Sequence, residues 1–300
     1  MMSNDPIIVL AAPRSFSTVT CAMVGQHPQL YGLPETFLFT HETVGEWWAD
    51  YDETFRMDGL LRAVAEIIFG GQTQAQVNRA RAWLQERLNW GTDDVFKALS
   101  ESVSPRALVE KTPRMSARLE HIDRVARKFP RARFLHVVRH PLGQVQSRLE
   151  RVHEKNSHRH MPPQGDISDQ FGGHPEIVWF RCNSNIIMYL ESISPERQML
   201  LRGEDLLAEP EIHLRHFVNW LGLRADAEAI EAMKHPEASP FASVGPPNAP
   251  SGGDKKFLLN PALRPPRPLQ QSLDGPVPWK NGGARLPKLV QDLALRLGYQ

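Results

Sequence analysis

Residues 6–20 read "PIIVLAAPRSFSTVT". The apolar run "IIVLA" has the character of a buried strand, and "STVTCAMV" that of a helix. Between them lies a tight turn rich in hydroxyls. Consecutive N–H groups at a helix start, together with the helix dipole, stabilise an anion. Ser15, Ser17 and Thr18 add hydroxyl donors, and the Arg14 guanidinium can grip an oxyanion with a planar fork. Yet the turn has no glycine, and the pattern GxxxxGK[ST] is absent, so magnesium-dependent phosphoryl transfer loses most of its support. The same residues also suit a plain helix N-cap by Ser15 or Ser17. The loop alone leaves both readings open.

Working outward, strand signals alternate with helical ones. Strands are expected over 6–12, 30–35, 106–113, 132–141 and 198–206. Helices are expected after each, with Ser116 as the cap of "ARLEHIDRVARKF". This alternation predicts an α/β fold with a mostly parallel sheet and helices on both faces. In such sheets ligands bind beyond the carboxyl ends of strands, near the point where strand order switches. The expected organisation is a single domain over 1–300. It carries a helical insertion at about 43–102, a mobile polar loop at about 153–176, and a Pro/Gly-rich extended wrap at about 239–287. The insertion holds Trp47, Trp48, Tyr51, Trp83 and Trp90, aromatics read as packing rather than as a sugar platform.

Composition narrows the function classes. Of 300 residues, 41% are apolar and 23% charged, and the formal net charge is +1. No bulk attraction to nucleic acid follows from that balance. Cys21 and Cys182 form no CxxC pair, so a disulfide framework or a zinc site is not expected. The first residues lack the basic region of a signal peptide, and no window approaches the roughly 18 apolar residues of a membrane span. A cytoplasmic location is the default expectation.

A second strand–turn–helix unit follows at "FLHVVRHPLGQVQSRL" (134–149). Arg139 ends the strand, Pro141 suits the first helical turn, and Ser147 lies two turns in. Two anion-gripping units in one chain suggest a ligand with two separate anionic groups.

These residues carry a resemblance. "PRSFST" resembles the PRSGST-type loop of sulfotransferases, which holds the 5′-phosphosulfate of 3′-phosphoadenosine 5′-phosphosulfate (PAPS). "VVRHPLGQVQS" is similar to that family's RxPxxxxxS segment, whose arginine and serine hold the 3′-phosphate. "VEKTPR", "RGEDLLAEPEIHLRHFVNWLGL" and "PWKNGG…LGY" resemble further stretches of the bacterial branch, so the likeness runs over nearly the whole chain. The segments "PFASVGPPNAPSGGDKKFL" and "NIIMYLESISPER" resemble sulfotransferases embedded in polyketide and peptide assembly lines. The implied fold is a P-loop-like three-layer sandwich. The implied activity is sulfuryl transfer from PAPS, without metal, to a hydroxyl, on a chain borne by a carrier protein or on a free lipid, sugar or phenol. A non-catalytic nucleotide-binding protein is the alternative of a different class.

The implied nucleotide contacts are Arg14, Ser15, Phe16, Ser17, Thr18, Arg139, Ser147, Lys280, Asn281 and Gly282. Arg14 and Lys111 are expected near the transferred group. Glu35 follows the second expected strand in "LPETFLF" and so emerges at the same sheet edge. It is the candidate base, as the family's "P-E-x-F" segment also implies; His158, His160 and His174 are its competitors. Glu204 and Asp205 are read as structural. Three positions depart from the family pattern. Phe16 stands for glycine, Gly203 for an aromatic residue, and His140 for aspartate or asparagine. The Phe16 ring is therefore expected to point away from the ligand, and the packing or stacking contact of a ring at 203 to be either missing or supplied elsewhere.

Overall fold

The computed structural model describes residues 5–157, 173–267, 272–280 and 282–300. Its centre is a five-stranded parallel sheet in the order β2-β3-β1-β4-β5. The strands are β1 (Ile7–Ala11), β2 (Leu30–Gly32), β3 (Ala107–Lys111), β4 (Arg133–Val138) and β5 (Gln198–Arg202). All five expected strands are present, each with trimmed ends. The five residues of β1 are buried on both faces, as a central parallel strand requires. Side chains alternate across a strand. Ile8 and Leu10 join one core and Ile7, Val9 and Ala11 the other.

Helix α1 (Ser17–Val24) leads from β1 toward β2. The insertion consists of α2 (Val44–Tyr51), α3 (Asp58–Phe69), α4 (Gln74–Gln85) and α5 (Thr92–Val103). Thr43 and Thr73 open two of these helices with capping boxes. Trp47 and Tyr51 are buried in the first core, and Trp83 meets Trp90 edge to face, which bears out the packing reading of these rings. After β3 comes α6 (Leu119–Lys128). Ser116 does not cap it: a short 3₁₀ turn over Pro113–Ala117 takes up Ser116, and the cap position falls on Arg118.

Helix α7 (Pro141–Ser157) follows β4, and α8 (Pro175–Leu190) follows it in turn. Of the expected loop at 153–176, the first residues belong to α7 and the last two to α8, while 158–172 lie outside the described residues. Beyond β5 run α9 (Gly203–Ala208), α10 (Pro210–Leu221) and α11 (Ala227–Met233). The Pro/Gly-rich stretch is not wholly extended. "KKFLL" forms α12 (Lys255–Leu259), capped by the Asp254 side chain. The closing helix α13 (Lys288–Arg296) packs Val290, Leu293 and Ala294 with Val178, Trp179 and Cys182 of α8.

The strand order fixes the place of the site. From β1 the chain turns toward β2 and from β4 toward β5, so the switch point lies between these two paired strands. The loops 12–16 and 139–140 follow these two strands and lie side by side.

Candidate active site

A cavity of about 1100 Å³ opens at the carboxyl ends of the strands. Its wall includes Arg14, Phe16, Ser17, Thr18, Arg139 and Ser147, so the two sequence-distant units face one space. Direct bonds join them. The Arg139 guanidinium donates from Nη1 to the Arg14 carbonyl at 3.0 Å, and Gln144 Nε2 donates to the Pro13 carbonyl at 2.7 Å.

The first loop turns without glycine because two ordinary residues adopt left-handed backbone. Arg14 has φ 69° and Phe16 has φ 62°. Such conformations cost of order 1–3 kcal/mol each and persist where the surroundings over-determine them. The N-cap of α1 is Phe16, and no side chain caps the helix. The plain-cap reading by Ser15 or Ser17 therefore fails, and the first N–H groups of α1 are left without a side-chain acceptor. Ser15 differs from expectation. It is buried beneath the loop rather than lining the cavity, and its hydroxyl has no hydrogen-bond partner among the described residues.

Arg14 is gripped from two sides. Its Nη1 meets Asp254 Oδ1 at 2.6 Å, and its Nε donates to Ser147 Oγ at 3.1 Å. The resemblance assigns Arg14 and Ser147 to opposite phosphates, yet here the two side chains touch. Arg14 holds the Asp254 carboxyl below the usual range even though burial works the other way. Asp254 escaped the sequence reading. Its signal was the "SGGD" turn before α12, but nothing in the sequence pairs it with Arg14. Its segment is fixed by Glu35 N–H donating to the Gly252 carbonyl at 2.7 Å, and by Asp254 N–H donating to Thr18 Oγ1 at 3.2 Å. Further back, Asp58 accepts from Ser251 N–H and Arg62 donates to the Ser251 carbonyl.

Glu35 lines the cavity as expected, and Lys111 stands behind it. The ammonium of Lys111, with its side chain 1% exposed, lies 2.7 Å from Glu35 Oε1 and 3.0 Å from Thr18 Oγ1. Lys111 is thus a buried lysine rather than a surface one. The adjacent Glu110 points to the other face, where Thr36 and Thr112 hydroxyls donate to its Oε1. Burial pushes the Glu110 carboxyl up to about 7. Those threonines in turn accept from Leu38 and Phe37 N–H, which pins the turn after Glu35.

The three departures have physical answers. The Phe16 ring centroid lies 4.3 Å from Arg139 Cζ, on the side toward Gly203. A Cβ added at Gly203 would sit 2.5 Å from Phe16 Cδ2. The ring absent at 203 is thus supplied by Phe16, an exchange of large and small between the loop before α1 and the start of α9. His140 takes over the cap that aspartate or asparagine would give, its Nδ1 accepting from Leu142 N–H at 3.2 Å. Burial holds the imidazole down to about 4, so it stays neutral and able to accept. Glu204 is structural, as read: it accepts from His140 N–H and from the Tyr299 hydroxyl.

Lys280 is not brought to the cavity wall. Its Nζ meets the buried Glu176 carboxylate at 2.6 Å, and the neighbouring Trp279, which does line the cavity, donates from Nε1 to the same carboxylate at 2.8 Å. Gly282 adopts φ 69° in the turn that follows, while Asn281 lies outside the described residues. His174 caps α8 through Glu176 N–H, a commitment that competes with a role as base; His158 and His160 lie outside the described residues.

A family model described as "Sulfotransferase family" matches residues 6–227. The chain belongs to the sulfotransferase family. Among solved structures, this sulfotransferase is similar to the sulfotransferase domain of the olefin synthase of Synechococcus PCC 7002, with TM-score 0.75 and 23% identity. That match covers 99% of this chain and 95% of the other. It is also similar to the sulfotransferase domain of the curacin biosynthetic pathway, with TM-score 0.70 and 22% identity, over 99% and 98% of the two chains. At such identities the likeness speaks for the fold, which is the α/β sandwich expected. No curated protein matched this sulfotransferase. Among the described residues there is no cluster of potential metal ligands, and no helix is long and apolar enough to cross a membrane.

Proposed function

We propose that this sulfotransferase moves a sulfuryl group from PAPS to the hydroxyl of an acyl chain borne by a carrier protein. The observation that carries the reading is the convergence of the uncapped α1 start, Arg139 and Glu35, the last backed by the buried Lys111, on one cavity. The residues fit a doubly anionic nucleotide. Arg139 is nearly buried with Nε unpartnered among the described residues, and the first turn of α1 offers N–H groups with no side-chain acceptor. The donor supplies an activated sulfuryl group and a stable bisphosphate leaving group.

The chain's own part is positioning and charge. In sulfuryl transfer the acceptor oxygen forms a bond to sulfur as the bond from sulfur to the bridging oxygen breaks. Glu35 takes the hydroxyl proton, and Lys111 fixes its carboxylate and stands beside Thr18 at the loop. Arg14 and the α1 start face the charge that grows on the leaving phosphate. Ser147 and Arg139 hold the second phosphate. Asp254 orients Arg14. The acceptor side is apolar: Phe55, Val244 and Leu259 line the cavity while remaining well exposed, which suits an acyl chain entering from solvent. The two similar structures are domains of a synthase and of a biosynthetic pathway, in keeping with a tethered acceptor.

Steady-state kinetics of two variants test the assignment. Arg139→Ala is expected to raise the KM for PAPS, and Glu35→Gln to lower kcat by about a hundredfold or more while donor binding survives. Full activity of Glu35→Gln would remove Glu35 as the base.

A further inference from the structure

Phe16 holds a backbone conformation that bulky side chains seldom adopt, φ 62° and ψ 8°. Nothing in the helix start asks for an aromatic residue there, since the side chain caps no N–H. The reason lies in where the ring goes. One side of it approaches the Arg139 guanidinium, at 4.3 Å from centroid to Cζ. Another fills the hollow left by Gly203, where an added Cβ would lie 2.5 Å from Cδ2 and 3.2 Å from both Cβ and Cγ of the ring residue. Arg139 needs such a support. Its Nη1 donates to the Arg14 carbonyl, and its Nε has no hydrogen-bond partner among the described residues.

We infer that Phe16 is a positioning residue: its ring, seated in the Gly203 hollow, holds the Arg139 guanidinium against the cavity wall and so sets the affinity for the nucleotide's phosphate. A planar cation over an aromatic face gains energy and loses freedom to turn away. This rests on the proposed role of Arg139 in the donor site.

The test is calorimetric titration with adenosine 3′,5′-bisphosphate, alongside thermal unfolding. Phe16→Leu is expected to weaken binding about tenfold. Gly203→Ala drives the ring from its seat and is expected to weaken binding similarly, but to add nothing when Phe16 is already Gly. Returning the ring from the opposite side, Phe16→Gly with Gly203→Phe, is expected to restore affinity to within about threefold of wild type. In an Arg139→Lys background, which keeps the charge and loses the plane, Phe16→Leu is expected to cost nothing further. Wild-type affinity in Phe16→Leu overturns the inference, as does an undiminished loss in the Arg139→Lys background. If wild type takes up no bisphosphate, it is the donor reading that fails. The ring–guanidinium support is then judged on melting temperature, where strictly additive losses for Phe16→Leu and Arg139→Lys overturn it.

Discussion

Replacing Lys111 by methionine removes a charge that the fold has buried. The ammonium is 1% exposed and lies 2.7 Å from Glu35 Oε1 and 3.0 Å from Thr18 Oγ1. Methionine keeps most of the volume, so cavity formation contributes little. What remains is a Glu35 carboxylate, 21% exposed, stripped of its counter-charge. Breaking a buried pair by removing one partner costs about 3–5 kcal/mol, and the partial exposure of Glu35 places this case near the low end. For a chain of this size a loss of about 3 kcal/mol corresponds to a melting point lower by roughly 6 °C. Glu35→Gln alone would strand Lys111 deeper still and cost at least as much. The double variant, with neither charge, is expected to recover most of the loss. Chemical denaturation of the four proteins at neutral pH gives a coupling of about 2 kcal/mol or more if the pair exists in solution. A double variant no more stable than Lys111→Met, or a Lys111→Met protein as stable as wild type, would refute the reasoning.

Two further outcomes follow from the same corner. Burial raises the Glu110 carboxyl from 4.5 to about 7, so the folded state keeps a proton that the unfolded chain gives up. Stability from this group is fully present below about pH 4.5 and is lost as pH rises to about 7, by up to about 3 kcal/mol. His121 and His136, held down to about 4 by burial, act in the opposite sense as pH falls from 6.5. The difference curve between wild type and Glu110→Gln isolates the first effect, and a flat difference between pH 4.5 and 7 would contradict it. Separately, a Cβ at Gly59 would lie 1.9 Å from the Glu35 carbonyl oxygen. Gly59→Ala is therefore expected to shift Glu35, lowering stability by about 1–3 kcal/mol and kcat with it. Unchanged turnover would show that the backbone at 35 tolerates displacement.

The sheet was legible because its strands are short apolar runs bounded by proline and polar turns, and periodicity reads such runs well. "ARFLHVVRHP" could be nothing else. Helix ends were less legible: α7 continues through "HEKNS", whose polar composition resembles a loop, and Ser116 falls in the 3₁₀ turn that Pro113 opens. Part of the candidate site was legible too: Arg14, Glu35, Lys111 and Arg139 end or follow strands, Thr18 lies in the first turn of α1, and Ser147 lies two turns into α7. The rest depends on contacts between distant residues. Asp254 meets Arg14 across 240 positions, and Phe16 trades places with Gly203 across 187, pairings that local pattern does not encode. Lys280 was aimed at the ligand by analogy with the family's late basic residue. The buried Glu176 claims it instead, because a carboxylate 2% exposed must be paired.

The central claim is metal-independent sulfuryl transfer at the Glu35–Lys111 edge of the cavity. Mass spectrometry of a hydroxyacyl carrier protein incubated with the enzyme, PAPS and a metal chelator tests it most directly. A sulfated acyl chain and an equal amount of adenosine 3′,5′-bisphosphate are expected, with both products falling together in Glu35→Gln. PAPS left intact beside unmodified carrier, or turnover that stops when the chelator is added, would contradict it.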